Sequence, residues 1–198
     1  MTTARLPRGR HHLSREDVAT TQRNRILTAF AEVLVERGYA DTPVAAILQR
    51  AGVSRETFYQ QFSSKQDCFV AALEETVGQL GAALIGGPAG GSPLERFDRL
   101  LGRYLAVLAA DPATARLFLI ETYAAGPEAM RRRVAMQAQF ADGIAAIFGA
   151  RSARRRAICE ALVGAVVSMV TARFVADDVA GLAAIRRPVV ELAAATLT

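Results

Sequence analysis

The polar side chains between Ser54 and Gln61 are the ones whose types and spacing best suit a chemical task. If this segment is a helix, Phe58 and Phe62 lie on one side, and the hydroxyl and amide side chains point sideways or outward. Arg55 falls in the first turn, where its guanidinium could hold guanine through two hydrogen bonds. Hydroxyls and amides on the same edge could reach phosphates or other bases. The pattern predicts a helix edge that contacts nucleic acid, and an ordinary polar helix surface is the alternative.

Two short helices joined by a tight turn are predicted around this edge. Thr42 can cap the first helix, and Pro43 suits its first helical position. Gly52 ends that helix, because the turn needs a positive φ that glycine adopts at little cost. Ser54 then caps the second helix. This layout is typical of a helix-turn-helix, in which the second helix enters the major groove of DNA.

The basic charge of the chain is concentrated in its N-terminal third. The net charge is +5 and the sequence pI is about 9.9. Residues 1–66 hold 10 of the 24 basic residues but only 6 of the 19 acidic ones. Such a bias suits a polyanionic partner without proving one. We interpret residues 1–13 as a flexible basic arm, which either follows the DNA or is a solvated tail.

Apolar residues recur at spacings of three and four along the chain, which predicts helices and few strands. Glycine and proline separate the helices, above all in the run 85–93. Pro188 should start, bend or break the last helix. We therefore predict an all-α fold. The expected helices cover residues 14–37, 43–51, 54–62, 64–85, 94–110, 113–125, 128–148, 153–175 and a segment from 181 onward.

Few residues suit catalysis or metal binding. Both histidines, His11 and His12, lie in the N-terminal arm, and no glycine-rich phosphate loop or nucleophile motif is present. Cys68 and Cys159 are interpreted as core residues unless the protein senses oxidants. The N-terminus does not resemble a signal peptide, and the most apolar run, 161–172, is too short to cross a bilayer. We therefore expect a cytoplasmic protein that is not an enzyme, binds no cofactor or metal and contacts no membrane.

Residues 51–65, Ala-Gly-Val-Ser-Arg-Glu-Thr-Phe-Tyr-Gln-Gln-Phe-Ser-Ser-Lys, resemble the signature of TetR-family (tetracycline-repressor-like) regulators. Gly38-Tyr39 and Thr42 stand where that family ends its first helix and begins its second, and the similarity covers residues 14 to about 73. The resemblance implies about nine helices, with a helix-turn-helix DNA-binding domain at 14–68 and a ligand-binding and dimerisation domain at 69–198. By position it implies DNA contacts from Thr42, Ser54, Arg55, Thr57, Tyr59, Gln60, Gln61 and Lys65.

Two residues depart from the pattern of that family. Gln61 stands where many members have histidine, and Glu56 places an acid in the recognition helix. The carboxylate of Glu56 could accept a hydrogen bond from cytosine or stabilise the helix N-terminus. We favour the second interpretation.

Small residues form one stripe along the helix expected at 153–175. The stripe would let another helix approach closely, and the alternative is that it packs against the chain's own core. The family resemblance favours a homodimer, in which this helix and the last one form a four-helix bundle. A two-fold dimer would read a palindromic operator on double-stranded DNA, with half-sites about 34 Å apart or more. The stripe consists of Ala157, Ala161, Gly164, Ser168 and Ala172.

A pocket for an unknown small molecule is expected among the helices between Leu94 and Phe174. The arginine runs 131–133 and 154–156 are interpreted as solvated helix faces rather than as a second anion site. The sequence thus predicts a ligand-responsive transcriptional regulator that acts as a repressor. The alternatives are a helical small-molecule-binding protein with a non-functional DNA-binding module and, least favoured, an enzyme. The candidate polar pocket residues are Tyr104, Glu121, Tyr123 and Arg173.

Overall fold

The computed structural model of the chain describes residues 15–85 and 90–198. The predicted basic arm, 1–13, and the expected cap at Ser14 lie outside the described residues. Within the described ranges the secondary structure is helical and contains no strand, so the all-α prediction is confirmed.

Three helices form the N-terminal unit: α1 (Arg15–Arg37), α2 (Val44–Ala51) and α3 (Arg55–Gln61). The apolar residues spaced along α1, including Ile26, Phe30 and Leu34, are all buried, as their periodicity predicts. Because these side chains cover α2 and α3 from one side, α1 is the scaffold on which the two short helices are held.

The connection between α1 and α2 differs from the predicted one. Pro43, with an extended backbone, stands at the cap position of α2, and no side chain caps that helix. Thr42 instead donates its hydroxyl hydrogen to the carbonyl of Gly38 at 2.7 Å and is fully buried. The expectation that Thr42 caps α2 is therefore wrong, since its hydroxyl closes the turn that follows α1.

The remaining helices build a larger C-terminal unit, in which α8 and α9 pack along each other and α5 packs against α10. If the interrupted segment 112–124 is taken as one helix, the described residues contain nine. The elements are α4 (Lys65–Ile85), α5 (Pro93–Ala110), α6 (Pro112–Arg116), a π-helical turn (Leu117–Glu121), α7 (Thr122–Ala124), α8 (Pro127–Phe148), α9 (Ala153–Val175), a 3-10 turn (Ala180–Ile185) and α10 (Arg186–Leu197).

Helix α4 belongs to both units. Near its start, the ring of Phe69 packs edge-on against Phe30 at 6.2 Å and against Tyr39 at 5.2 Å between ring centroids. Further along, α4 contacts α5 and α8. A division at residues 68 and 69 therefore cuts through a continuous helix, and the predicted domain boundary stays a prediction.

The segment expected as one helix at 113–125 is interrupted by the π-helical turn. In such a turn each backbone hydrogen bond joins residues five apart rather than four apart. Some carbonyl groups then have no backbone donor and can accept from side chains. Two side chains supply donors here. The Thr122 hydroxyl donates to Phe118 O at 2.9 Å, and Arg133 Nη1 donates to Phe118 O at 3.1 Å and Leu119 O at 2.9 Å.

Pro188 occupies the third position of α10, directly after the 3-10 turn. A proline in the first helical turn costs little, because the backbone N–H groups there have no intrahelical acceptor. Of the three outcomes left open by the sequence, the structure therefore shows proline at the start of the helix.

The small-residue stripe of α9 faces outward. Ala157, Ala161, Gly164, Ser168 and Ala172 are all exposed, whereas the opposite side of the helix is buried. Among the described residues, α9 is also the one helix whose length and composition would allow it to cross a membrane, with mean hydropathy 1.8 over a window that is 33% buried. A single helix of this kind is weak support for a membrane span. The stripe does not pack against the chain's own core.

We predict that Gly52→Ala lowers stability by about 1 kcal/mol, or roughly 2–4 °C in melting temperature. Gly52 has φ +63°, which disfavours an L side chain, and its new Cβ would lie 3.0 Å from Arg25 Nη2. Gly78→Ala in α4 is the matched control, since its Cβ would meet no atom within 4 Å and alanine favours a helix. Thermal unfolding should show Gly52→Ala below the parent and Gly78→Ala at or above it. The reverse order would contradict the strain argument.

Candidate nucleic-acid interface and ligand cavity

Helix α3 is held by two buried phenylalanines on its inner side. Phe58 is fully buried, Phe62 nearly so, and their ring centroids are 5.6 Å apart. The guanidinium of Arg23, from α1, lies 4.6 Å above the Phe62 ring. This arrangement agrees with the predicted inner side and fixes which edge of α3 faces out.

The outer edge of α3 is polar and exposed. Arg55, Glu56 and Gln60 are exposed, and Tyr59 keeps 48% of its surface accessible. The Gln60 amide donates to Glu56 at 3.3 Å. Thus the two side chains whose burial would contradict a DNA-reading edge, Arg55 and Tyr59, are accessible.

The N-terminus of α3 is capped as the sequence predicts. Ser54 stands at the cap position, and the backbone N–H of Thr57 donates to its hydroxyl oxygen at 3.0 Å. The Ser54 and Thr57 hydroxyls also lie 2.9 Å apart, within hydrogen-bond distance. Thr57 is half-buried, so both hydroxyls stabilise the start of the helix that carries Arg55.

Two arginines of α1 brace the helix-turn-helix. Arg25 Nη2 donates to the carbonyl of Ala51 at 2.6 Å, and Arg23 Nη1 donates to the carbonyl of Gln61 at 3.5 Å. Each of these hydrogen bonds joins residues that are more than 20 positions apart in the sequence. The local sequence pattern of the two short helices does not predict such bonds. Sequence reasoning missed this bracing role.

Thr42 and Lys65 do not belong to the exposed edge. Thr42 is buried, and its hydroxyl bonds to the carbonyl of Gly38. Lys65 Nζ donates to the carbonyl of Tyr39 at 2.9 Å and lies 4.1 Å from the Tyr39 ring centroid, and burial lowers the pKa of Lys65. The structure thus brings together six of the eight predicted positions: Ser54, Arg55, Thr57, Tyr59, Gln60 and Gln61.

An apolar cavity lies in the C-terminal unit, with about 70 Å³ of free space. Tyr104 is the one predicted pocket residue that lines it. Burial raises the pKa of Tyr104 to about 12, so at neutral pH its hydroxyl is a hydrogen-bond donor. Of the other lining residues, Gln137 is the one polar side chain. The lining is Leu84, Phe97, Leu100, Leu101, Tyr104, Phe118, Gln137, Phe140, Ile144, Val163, Val166 and Val167.

The other three predicted pocket residues lie elsewhere. Glu121 accepts a hydrogen bond from the backbone N–H of Tyr39 at 2.7 Å. Tyr123 is exposed and lines a groove of about 510 Å³ between α8 and α9. Arg173 forms an ion pair with Asp178. None of the three lines the apolar cavity.

The helix-turn-helix matches a known family. Residues 26–72 fit the sequence profile of bacterial regulatory proteins of the tetR family. This part of the chain is therefore similar to the N-terminal region of TetR-family regulators.

Two curated relatives each match a short part of the chain. The transcriptional activator FasR of Mycolicibacterium smegmatis is 42% identical over 59 residues, which are 30% of this chain and 27% of FasR. The fatty acid metabolism regulator protein of Bacillus subtilis is 37% identical over 54 residues, which are 27% of this chain and 28% of that protein. The matches thus span little more than a quarter of the relatives' length.

The fold match extends over the C-terminal unit. The structure of the regulator FadR from Bacillus subtilis in complex with stearoyl-CoA superimposes with a TM-score of 0.71 at 20% identity, covering 85% of this chain and 96% of that one. At this level of identity the match shows a shared fold. The expected combination of a helix-turn-helix with a C-terminal helical domain is therefore confirmed.

Arg133 departs furthest from its predicted position. It was expected on a solvated face, but only 2% of its surface is exposed, so that interpretation is wrong. Its guanidinium lies 4.8 Å from the Tyr123 ring centroid and 5.8 Å from that of Phe118. The spacing could have revealed it, because Ala129 and Met136 are buried on the same side of α8.

The two units meet at the end of the π-helical turn. Glu121 accepts from the N–H of Tyr39, and the amide of Gln66 donates to the carbonyl of Ala125 at 2.8 Å. Lys65 bonds to the carbonyl of Tyr39 from the opposite side. The segment 117–125 therefore forms hydrogen bonds with the turn after α1 and with the first turn of α4.

Native Cys68 and Cys159 should not react with the thiol reagent DTNB at pH 8. Both are buried, and burial raises the pKa of each thiol, that of Cys68 to about 12, so that the reactive thiolate is scarce. Two thiols should react after unfolding in guanidinium chloride, which is the control. Rapid reaction of a native thiol would contradict this and favour the oxidant-sensing interpretation.

Proposed function

We propose that this chain is a cytoplasmic, ligand-responsive, DNA-binding transcriptional regulator. The observation that carries the proposal is the outer edge of α3, where Arg55 and Tyr59 are exposed while Phe58 anchors the opposite side. A helix held in this way can present hydrogen-bonding groups to base edges in the major groove without losing its packing. The TetR-family match over residues 26–72 supports the same assignment.

The regulator acts as a homodimer that binds a palindromic operator. A seven-residue α3 offers few base contacts, so two copies are needed for useful specificity. The exposed stripe on α9 supports an isologous contact, because small residues allow two helices to approach closely. On α10, Leu192 keeps 48% of its surface accessible and adds an apolar side chain to the exposed surface. Two α9 helices and two α10 helices would form a four-helix bundle.

The ligand is a small apolar molecule bound in the cavity beside Tyr104. The lining of that cavity is almost entirely aliphatic and aromatic, which suits an acyl chain or a similar group. The structure of Bacillus subtilis FadR in complex with stearoyl-CoA supports an acyl-type ligand. The free space of about 70 Å³ is below the roughly 300–1,000 Å³ of ligand clefts, so the cavity must widen.

Ligand binding releases the operator, so the chain is a repressor. Phe118 is both a wall of the cavity and part of the π-helical turn, which ends at Glu121. Widening the cavity therefore displaces the segment that bonds to Tyr39 in the DNA-binding domain. The relative FasR is named as an activator, and a ligand that raises operator affinity would contradict repression while leaving the regulator assignment intact.

Arg55→Ala and Tyr59→Ala should each weaken operator binding while leaving the fold intact. Loss of the guanidinium removes about 1–3 kcal/mol of base discrimination per half-site. Binding to the DNA that flanks the chain's own gene is measured by fluorescence anisotropy across a salt series, and folding is checked by circular dichroism. If the chain is instead a helical ligand-binding protein with a non-functional DNA-binding module, the parent itself should not bind the operator, and neither substitution should change that result.

The matched control is Arg151→Ala, which removes the same charge from an exposed position in the turn between α8 and α9. Its operator affinity should equal that of the parent. If the parent binds weakly and independently of sequence, with a salt dependence set by charge alone, the regulator assignment is overturned.

Gly164→Arg should convert the dimer into a monomer without unfolding it. Gly164 is exposed in the α9 stripe, and a Cβ there meets no atom within 4 Å of the same chain. A charged side chain in a close helix contact would push the partner helix away and stay unpaired. Sedimentation velocity measures the oligomeric state.

Gly143→Arg is the control for this change. Gly143 lies exposed in α8 and likewise has no neighbour within 4 Å of its Cβ position, so this variant should remain dimeric. A dimer that survives Gly164→Arg would show that the subunits associate through another surface.

A further inference from the structure

Two buried polar groups beside the apolar cavity have no hydrogen-bond partner in the described residues. Arg133 Nη2 and the Thr171 hydroxyl oxygen are both inaccessible to solvent and unpaired. Both residues line the groove between α8 and α9. Buried donors are normally satisfied, and each one that is left unpaired costs stability. Two such groups in one groove point to something that binds there.

Arg133 places a buried positive charge in the groove. Its Nη1 bonds to two carbonyls of the π-helical turn, but Arg133 forms no ion pair with any residue the structure describes. Burial lowers the pKa of Arg133, yet arginine starts so high that it stays charged at neutral pH. The Tyr123 ring offsets part of the cost by a cation–π contact at 4.8 Å. No carboxylate among the described residues neutralises this guanidinium.

The groove and the apolar cavity are neighbours. Gln137 and Val167 line both of them, so the two spaces adjoin at these side chains. Tyr104, in the cavity wall, lies close enough to Arg133 for the two to interact electrostatically. A molecule that displaces the Gln137 side chain would therefore extend from an apolar space to a cationic one.

We propose that the ligand is a chain-like carboxylic acid, whose carboxylate binds Arg133 Nη2 and the Thr171 hydroxyl while its hydrocarbon chain fills the apolar cavity. This inference rests on the proposed ligand-responsive function and specifies the ligand's polar end. A carboxylate supplies the missing negative charge and accepts hydrogen bonds from both orphan donors. A neutral ester or alcohol would fill the cavity and leave the guanidinium without a counter-charge.

The test is isothermal titration calorimetry of the full-length chain with decanoate, methyl decanoate, decanol and decanoyl-CoA, without DNA. Decanoate should bind at least about 30-fold more tightly than the two neutral compounds, because a buried charge left unpaired is costly. Shorter acids should lose about fourfold in affinity per methylene removed, as the cavity empties. Neutral compounds that bind as well as decanoate would overturn the proposal, and so would tighter binding of decanoyl-CoA.

Two variants locate the carboxylate. Arg133→Met should weaken decanoate binding at least about 30-fold, whereas Arg131→Met, an exposed arginine of the same helix, should leave it unchanged. Because Arg133→Met also removes two hydrogen bonds to the π-helical turn and thereby lowers stability, Thr171→Val serves as the second variant. It removes an unpaired hydroxyl without changing side-chain volume, so the fold should persist and decanoate binding should fall about fivefold or more. Parent-like affinity in either variant would overturn the assignment.

The outcome is separable from that of the proposed function. Operator binding that depends on Arg55 tests the regulator, and it needs no ligand. If operator binding is specific and a neutral apolar compound releases it while decanoate does not bind, the regulator stands and the carboxylate site is overturned. If decanoate binds through Arg133 and Thr171 but no specific operator is bound, the site stands and the regulator assignment fails.

Discussion

The aromatic cluster around Phe69 is the contact on which the two units of this protein depend. Phe69 is fully buried near the start of α4, with Phe30 and Tyr39 packed edge-on against its ring. Because α4 continues from this cluster to the apolar cavity, where Leu84 lines the wall, one helix reaches from the N-terminal unit to the C-terminal unit. Burial of these rings contributes several kcal/mol to stability and opposes movement of α4 relative to α1. A displacement at one end of α4 should therefore also move its other end.

Local patterns were sufficient to predict the helix-turn-helix, and their success has a simple physical basis. Gly52 is needed for a left-handed turn, Ser54 for a cap, and Phe58 and Phe62 for an inner side one helical turn apart. Each of these requirements is met within a few residues of sequence. Once they are met, the outward direction of Arg55 follows from helix geometry, and the structure agrees.

The features that sequence reasoning missed are set by partners far away in the chain. Arg133 looked like one member of a solvated arginine run, but its burial depends on carbonyls of Phe118 and Leu119, which are 15 and 14 residues earlier. Those carbonyls can accept from Arg133 only because the backbone forms a π-helical turn. No residue pattern predicted that turn. Thr42 is similar, since a cap and a turn-closing hydroxyl call for the same residue type. In both cases the local sequence allows several partners, and the tertiary structure selects one.

The π-helical turn lies between the apolar cavity and the N-terminal unit and contacts both. On one side, Arg133 holds its carbonyls and Phe118 forms part of the cavity wall. On the other, Glu121 accepts from the N–H of Tyr39. A π-helical turn carries one residue more than an α-helical turn of the same length, so a shift to α-helical bonding would rotate every residue beyond it by about 100°. Under the proposed function, a ligand that changes the bonding of Arg133 would act on this segment. If α-helical bonding is its second conformation, the ligand's difference in affinity between the two conformations sets the upper limit on the change in the proposed operator affinity.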